Sequence, residues 1–283
     1  MTISAEIGTV RPITSRDLQE LDDLLGRDPV ASCFVSARVA GAGADPWRLG
    51  GDLLGYFDGG CLTSALYLGA NLVPVATSEA SRAAFVSRLR MQPRRCSSFV
   101  GPAEEVLDLW RLLEPMWGPA RDIRDRQPLM VMASDPVLAG DPRVRISTSR
   151  DLDLLLPACV DMFTSEVGVS PVAGGMTNAY RMRIGEIIEQ GRSFSLIENG
   201  EVIFKAEVGA VGKGVSQIQG VWVAPAFRGL GLSAACMASV VTLTRRSIAP
   251  VVSLYVNDFN TAARKSYRSV GFSEVGEFAT VLF

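Results

Sequence analysis

Nine residues, Pro225-Ala226-Phe227-Arg228-Gly229-Leu230-Gly231-Leu232-Ser233, combine the groups that an anion site needs. They join an apolar strand ending in Val221-Trp222-Val223 to a helix expected to open at Leu232. Glycines at 229 and 231 remove the Cβ atoms that would keep a ligand off the backbone, and they permit positive φ. The amides of such a turn, and of the first helical residues, converge where the helix dipole favours negative charge. Arg228 adds a rigid fork of donors for a second oxygen. The chemistry implied is the cradling of a pyrophosphate.

Two other readings share these residues. Gly229-x-Gly231-x-x-Ala234 also fits a dinucleotide fingerprint, which needs an acidic residue about 20 positions further on to hold a ribose. The next strand, Val251 to Val256, ends instead in Asn257, and Asp258 comes too late. A glycine turn of purely structural value is the other alternative. A second segment decides among them. Asn260 is a good N-cap for a helix from Thr261, and Gly271 a good stop. Asn260, Ala263 and Tyr267 share one helical stripe that carries an amide, a small residue and a phenol. That is an odd choice for a plain core face.

With both segments in order, a strand, a helix and a strand apart, the chain resembles the GNAT family of acyl-CoA-dependent N-acetyltransferases. The family's loop, Arg/Gln-x-x-Gly-x-Gly/Ala, matches Arg228-x-x-Gly231-x-Ser233, with serine as a departure in the last place. Its later segment matches Asn257, Asn260, Ala263, Tyr267 and Gly271-Phe272. The resemblance is strong from Val215 to Phe272 and weaker back to Val144. It implies an α/β fold, a mixed and mostly antiparallel sheet with a splayed parallel strand pair flanked by helices. It implies acetyl-CoA as co-substrate, held by Val221, Trp222 and Val223, by Arg228, Gly229, Leu230, Gly231, Leu232 and Ser233, and by Asn257, Asn260 and Ala263. Backbone amides at Val221 and Val223 would pair with the pantetheine arm and polarise the thioester carbonyl. Tyr267 would donate a proton to the departing thiolate. Where the family often carries a glutamate as base, this chain has Gln217 and Gln219, so Glu207 on the preceding strand is the nearest carboxylate. A water chain would also serve, and an α-amine, with a pKa of about 8, needs less help than a lysine.

Composition sets the outer limits. The chain has 283 residues, 48% hydrophobic and 20% charged, enough for two ordinary domains with real cores. It contains no histidine, which removes Ser-His-Asp, Cys-His and HExxH chemistry, and no metal is expected. A net charge of −2 without a basic, aromatic-laced stripe disfavours nucleic acid. The mixed-charge stretch Arg121 to Arg126 reads as a solvated face. Met1 to Glu6 lacks the features of a secretory signal, and no apolar run would span a bilayer. Five cysteines without a CxxC pair suggest reduced core thiols and a cytosolic protein. Lys213 in Gly212-Lys213-Gly214 does not make a P-loop, since the spacing fails.

The elements that position these residues read as laid down twice, since Val10-Arg11-Pro12-Ile13-Thr14-Ser15-Arg16-Asp17-Leu18 matches Val144 to Leu152 at seven of nine positions. Each copy reads as a short strand, a serine cap and an amphipathic helix, over Asp17 to Leu25 and Asp151 to Phe163. Hairpins follow at Tyr56 to Leu62 and at Leu196 to Ile203. In the first copy a strand at Leu72 to Val75 leads to a helix at Glu79 to Arg90, and Ser98 to Pro102 to a helix at Ala103 to Leu113. The glycine turn is missing there. Ala76-Thr77-Ser78-Glu79 stands in its place, with Glu79 near the would-be phosphate and Arg111 near the acid position. Two tandem GNAT-like domains are therefore expected, a degenerate one over 1–138 and a catalytic one over 139–283, joined through the Pro/Gly/Asp-rich segment Asp135 to Pro142. The expected activity is acetyl transfer from acetyl-CoA to a primary amine of a small molecule or peptide. The rival readings are a non-catalytic acyl-CoA sensor and a tandem protein-interaction module.

Overall fold

The repeated segments form the same local knot twice. In β1 (Thr9–Pro12) Arg11 reaches forward to Asp17 with two hydrogen bonds of 2.8 and 2.7 Å, and Arg145 does the same to Asp151 at 2.7 and 2.8 Å. Asp17 and Asp151 in turn accept from the backbone N–H groups of Thr14 and Thr148, closing a capping box at each helix start. The cap is thus the threonine, one residue earlier than the expected serine. Its φ is −116° in both copies. The arginine beside each aspartate holds that carboxyl well below the usual carboxylate range.

A computed structural model describes residues 8–283, so the reading of Met1 to Glu6 lies outside the described residues. The chain resolves into two units. Unit 1 runs to Leu129 and takes in Tyr255–Asp258 and Val275–Phe283; unit 2 comprises Met130–Leu254 and Phe259–Glu274. The segment Asp135 to Pro142 lies within unit 2, tied down where Asp141 N–H donates to the Ala235 carbonyl and Ser239 Oγ donates to the Asp141 carbonyl.

In unit 1, β1 is followed by α1 (Leu18–Gly26), α2 (Cys33–Ala42), α3 (Pro46–Leu49), β2 (Asp52–Asp58), β3 (Cys61–Leu68), β4 (Asn71–Val75), α4 (Glu79–Leu89), β5 (Ser98–Pro102), α5 (Ala103–Trp117) and β6 (Asp122–Met132). The expected hairpin is β2–β3, turned by Gly59 and Gly60 at positive φ. All pairs here are antiparallel except β4–β5, which run parallel through only two residue pairs, Asn71↔Ser98 and Leu72↔Phe99. Apolar side chains cover both sheet faces. Leu21, Leu24, Leu25 and Val35 pack one side, and Phe85, Phe99, Leu109 and Trp110 the other. The charged stretch from Arg121 opens strand β6, with Arg126 bonded to Glu277.

Unit 2 repeats the plan with β7 (Arg145–Ile146), α6 (Leu152–Val167), α7 (Thr177–Glu189), β8 (Ser193–Glu198), β9 (Glu201–Gly212), β10 (Val215–Val223), α8 (Leu232–Ser247), β11 (Val251–Tyr255) and α9 (Thr261–Val270). Its sheet runs β11-β10-β9-β8-β7, again antiparallel except for one pair, β10–β11. The last strand, β12 (Ser273–Leu282), enters unit 1 from Val275 and lies antiparallel to β5, with Ala279 and Val281 fully enclosed beside Phe99. Four cysteines are buried as expected, but Cys61, at the hairpin tip, is exposed. No helix among the described residues is long and apolar enough to cross a membrane.

Candidate functional site

The turn before α8 folds as its glycines allow. Gly229 and Gly231 both take left-handed φ, at +79° and +76°, where any other residue is strained. No atom lies within 4 Å of where a Cβ would stand on either. Gly231 is the N-cap of α8, and no side chain caps the helix's first amides. Leu232 and Ser233 open a 16-residue helix whose first amides are left without a side-chain acceptor. Arg228 Nε donates to the Val223 carbonyl at 2.9 Å, which leaves the exposed end of its guanidinium beside the turn. Leu230 projects outward, 72% exposed. Ser233, the departure from the family pattern, meets Ser266 Oγ at 3.1 Å and so ties α8 to α9.

Upstream of the turn the parallel strands part. Residues Val215, Ser216 and Gln217 pair with Val251, Val252 and Ser253, and the pairing of β10 with β11 then stops. On its other edge β10 is in register with β9 at Gln219↔Glu207 and again at Trp222↔Lys205. Two residues, Gly220 and Val221, thus oppose the single Ala206, which makes a β-bulge with Gly220 at φ +61°. Beyond Gln217, then, β10 has no ladder partner in β11, and the Val223 carbonyl takes Arg228 Nε instead. Trp222 is half-buried against α6 and α7, and its Nε1 donates to Asp161 at 2.8 Å.

Beneath the bulge lies a buried polar group that the sequence did not disclose. Lys205 is only 2% exposed and Glu207 6%. Glu207 Oε1 accepts from Gln219 Nε2 at 2.9 Å, and its Oε2 is 3.4 Å from Lys205 Nζ. Lys205 also donates to Cys159 Sγ on α6 at 3.3 Å. Burial opposes the charge of Lys205, but Glu207 and then Cys159 outweigh it and hold the ammonium above its ordinary value. Burial pushes the Cys159 thiol up, and pushes Tyr180, which donates to the Cys159 carbonyl, up to about 12. Glu207 is thus an enclosed, paired carboxylate rather than a solvated edge residue.

On α9, Asn260 caps the helix as expected, its Oδ1 accepting from Ala263 N–H at 3.1 Å. Tyr267 packs with its ring centroid 6.0 Å from that of Phe272. Burial, with a smaller contribution from the Glu166 charge, pushes its phenol well above the usual range, so the hydroxyl keeps its proton. Asn257 belongs to unit 1, is 8% exposed, and accepts from Gln127 Nε2 at 2.8 Å, while Gln127 accepts from Thr280. Its side chain is spent on that strand contact.

The counterpart turn in unit 1 is already filled. Ser78 caps α4, with Ser81 N–H donating to its Oγ, and Ala76 takes φ +51° without being glycine. Thr77 donates from both N–H and Oγ1 to one oxygen of Glu105, at 2.8 and 2.6 Å. The acidic group at this turn is therefore Glu105 from α5, and Glu79 stays exposed on the first turn of α4. Arg82, 6% exposed, adds a bond to the Thr77 carbonyl and one to Asp108 at 2.6 Å. Arg111 is likewise committed to Asp108, with no phenol in its place.

Comparison with known proteins bears on the fold and the family. Residues 170–272 match the Acetyltransferase (GNAT) family, and residues 51–155 match a domain of unknown function, DUF4081. A search of curated protein sequences finds no match. Among solved structures, an acetyltransferase from the GNAT family of Colwellia psychrerythraea superposes with TM-score 0.57 at 14% identity, covering 97% of this chain and 99% of that one. A GCN5-related N-acetyltransferase from Sphaerobacter thermophilus gives 0.59 at 14%, covering 98% and 95%. A tandem GNAT protein from the clavulanic acid biosynthesis pathway gives 0.54 at 16%, covering 96% and 98%. At such identities the superpositions speak for the fold, and the fold throughout is that of two GNAT-like units in tandem. The chain carries, in its C-terminal half, a domain of the GNAT acetyltransferase family.

Proposed function

We propose that unit 2 transfers an acetyl group from acetyl-CoA to a primary amine by direct attack, in the cytosol. The observation that carries this reading is the uncapped start of α8, with open space over two left-handed glycines, next to the point where β10 and β11 part. The pyrophosphate would lie on the amides of Gly229 to Ser233 with Arg228 at its side. The pantetheine arm would follow Val221, Trp222 and Val223 toward the bulge, with Asn260 and Ala263 bordering it. There the backbone would polarise the thioester carbonyl. Glu207 is the proposed base, and Tyr267 the acid that protonates the leaving thiolate. Asn257 is assigned no more than support of the strand end. In this reading the chain is a duplication, with a degenerate first half over 1–138 and a working second half over 139–283.

The test is release of free coenzyme A from acetyl-CoA in the presence of an amine panel, with acetylated products identified by mass spectrometry. Tyr267→Phe should keep the fold and the affinity for acetyl-CoA while turnover falls by about 10²-fold, the lower end for a lost general acid. Wild-type turnover in that variant would make Tyr267 a packing residue. A non-catalytic acyl-CoA sensor is the rival, favoured by the engagement of Glu207 with Lys205 and Gln219. Binding without any thiol release would select it.

A further inference from the structure

We propose that Gln219 and Lys205 are positioning residues that hold the Glu207 carboxylate under the β10 bulge, where an attacking amine would lose its proton. The proposal rests on the reading of Glu207 as the base, and its test separates the two.

Lys205 and Glu207 alternate onto one face of β9, and Gly209 is the residue left unopposed where the register with β10 shifts between Val208↔Ile218 and Ala210↔Gln217. Gln219 stands opposite Glu207 in the antiparallel register. A Cβ on Gly209 would overlap the amide end of the Gln219 side chain, so the missing side chain at 209 makes the hole in which that amide lies. From there Gln219 Nε2 donates to Glu207 Oε1 at 2.9 Å. The other oxygen faces Lys205 Nζ at 3.4 Å, and Lys205 is anchored to Cys159 of α6. A carboxylate held at both oxygens by different donors cannot rotate about its last bond. Its place is also fixed relative to the bulge. A Cβ on Gly220 would stand 3.2 Å from Glu207 Cδ, 3.2 Å from Lys205 Nζ and 3.1 Å from the methyl of Met162. Glycine at 220 therefore leaves the backbone in direct contact with the carboxylate. Cys159 and Tyr180 are the other titratable groups packed against the pair, from α6 and α7.

A merely structural ion pair would need neither the hole at Gly209 nor the amide of Gln219. The two explanations separate in kinetics. Coenzyme A release by the full chain is measured with two probe amines: glycinamide, an α-amine largely protonated below about pH 8, and hydroxylamine, which is unprotonated at neutral pH and needs no base. Gly209→Ala evicts the Gln219 amide without touching the backbone, and Gln219→Leu removes the donor. Each should lower kcat for glycinamide by about ten- to a hundredfold, the range for a misplaced catalytic group, with the KM for acetyl-CoA unchanged. With hydroxylamine both should stay near wild type. The double variant should be no slower than either single one, and in a Glu207→Gln background Gly209→Ala should add nothing. Wild-type rates in Gly209→Ala and Gln219→Leu alongside a slow Glu207→Gln overturn the positioning role. An equal loss with both amines overturns it too, because it marks a general disturbance. A wild-type rate for glycinamide in Glu207→Gln overturns the base assignment itself. No release above background with either amine in the wild type overturns the proposed reaction.

Discussion

The chain leaves β4 at Val75 and enters α4 through Ala76-Thr77-Ser78, and it leaves β10 at Val223 and enters α8 through a turn ending in Gly231. Both turns follow a strand whose parallel partner has just diverged. In the first, donors are met from within: Ser78 Oγ takes Ser81 N–H, and Glu105 takes both donors of Thr77. In the second, the helix start has no side-chain cap, and two glycines hold the space above it open. The same backbone plan thus makes a closed joint in one unit and an open, uncapped turn, the proposed anion seat, in the other. What distinguishes them is whether the protein supplies its own negative charge. A carboxylate from α5 does in unit 1 what a phosphate is proposed to do in unit 2.

The sharpest way to break that contrast is Gly231→Val. A β-branched residue at φ +76° is strained, and its side chain would stand in the proposed phosphate's place. Calorimetry should detect no acetyl-CoA binding, and wild-type affinity would make the second turn as inert as the first. Arg228→Ala should weaken binding by about 1.5–3 kcal/mol, the worth of a charge-assisted contact. A loss that does not diminish at high salt would argue against a role for its charge. Glu105→Ala tests the closed joint. It leaves Thr77 without its acceptor and should lower stability by about 1–3 kcal/mol in a denaturant titration. No acetyl-CoA affinity should appear at that turn, and if it does, the carboxylate was masking a competent seat.

The smallest expected effect concerns what the units share. Asp17→Asn and Asp151→Asn each remove one capping aspartate and should lower the melting temperature by roughly 2–4 °C at neutral pH, as about 1 kcal/mol does in a chain of this size. Both aspartates are held below the usual carboxylate range in the folded state. Their contribution is therefore complete above the unfolded value of about 3.9 and is lost as pH falls through the lower folded value. The gap from wild type should close on acidification, and similarly for both substitutions. A gap that persists at low pH would mean that neither carboxyl charge matters.

Much of this was open to reading because it is local. The capping boxes span four residues, the hairpins turn on Gly59-Gly60 and Asn199-Gly200, and the glycine turn and the Asn260 cap announce themselves within one helical turn. The error of one position at the caps, serine for threonine, arose because both hydroxyls satisfy the same pattern. What escaped was long-range. Glu105 reaches Thr77 from 28 residues away, and Gln127 claims Asn257 from 130. Glu207 could be named as a nearby carboxylate, but its enclosure could not, because nothing in β9 shows that α6 brings Cys159 to Lys205 or that the Gln219 amide lies where a Cβ on Gly209 would stand.

The seating of Val275–Phe283 in unit 1 sets an order of events for the growing chain. Phe278, Ala279 and Val281, all at most 4% exposed in the folded protein, are made after unit 2's last helix has been synthesised. Until they arrive, β5 lacks its antiparallel neighbour, and Phe99 and Trp110 lack part of their cover. The unit encoded first is thus the unit finished last. During synthesis its unpaired edge is the place where a newborn chain is most open to wrong partners. Ending the chain before Val275 would leave unit 2's own segments intact and cost unit 1 an inner strand of its sheet.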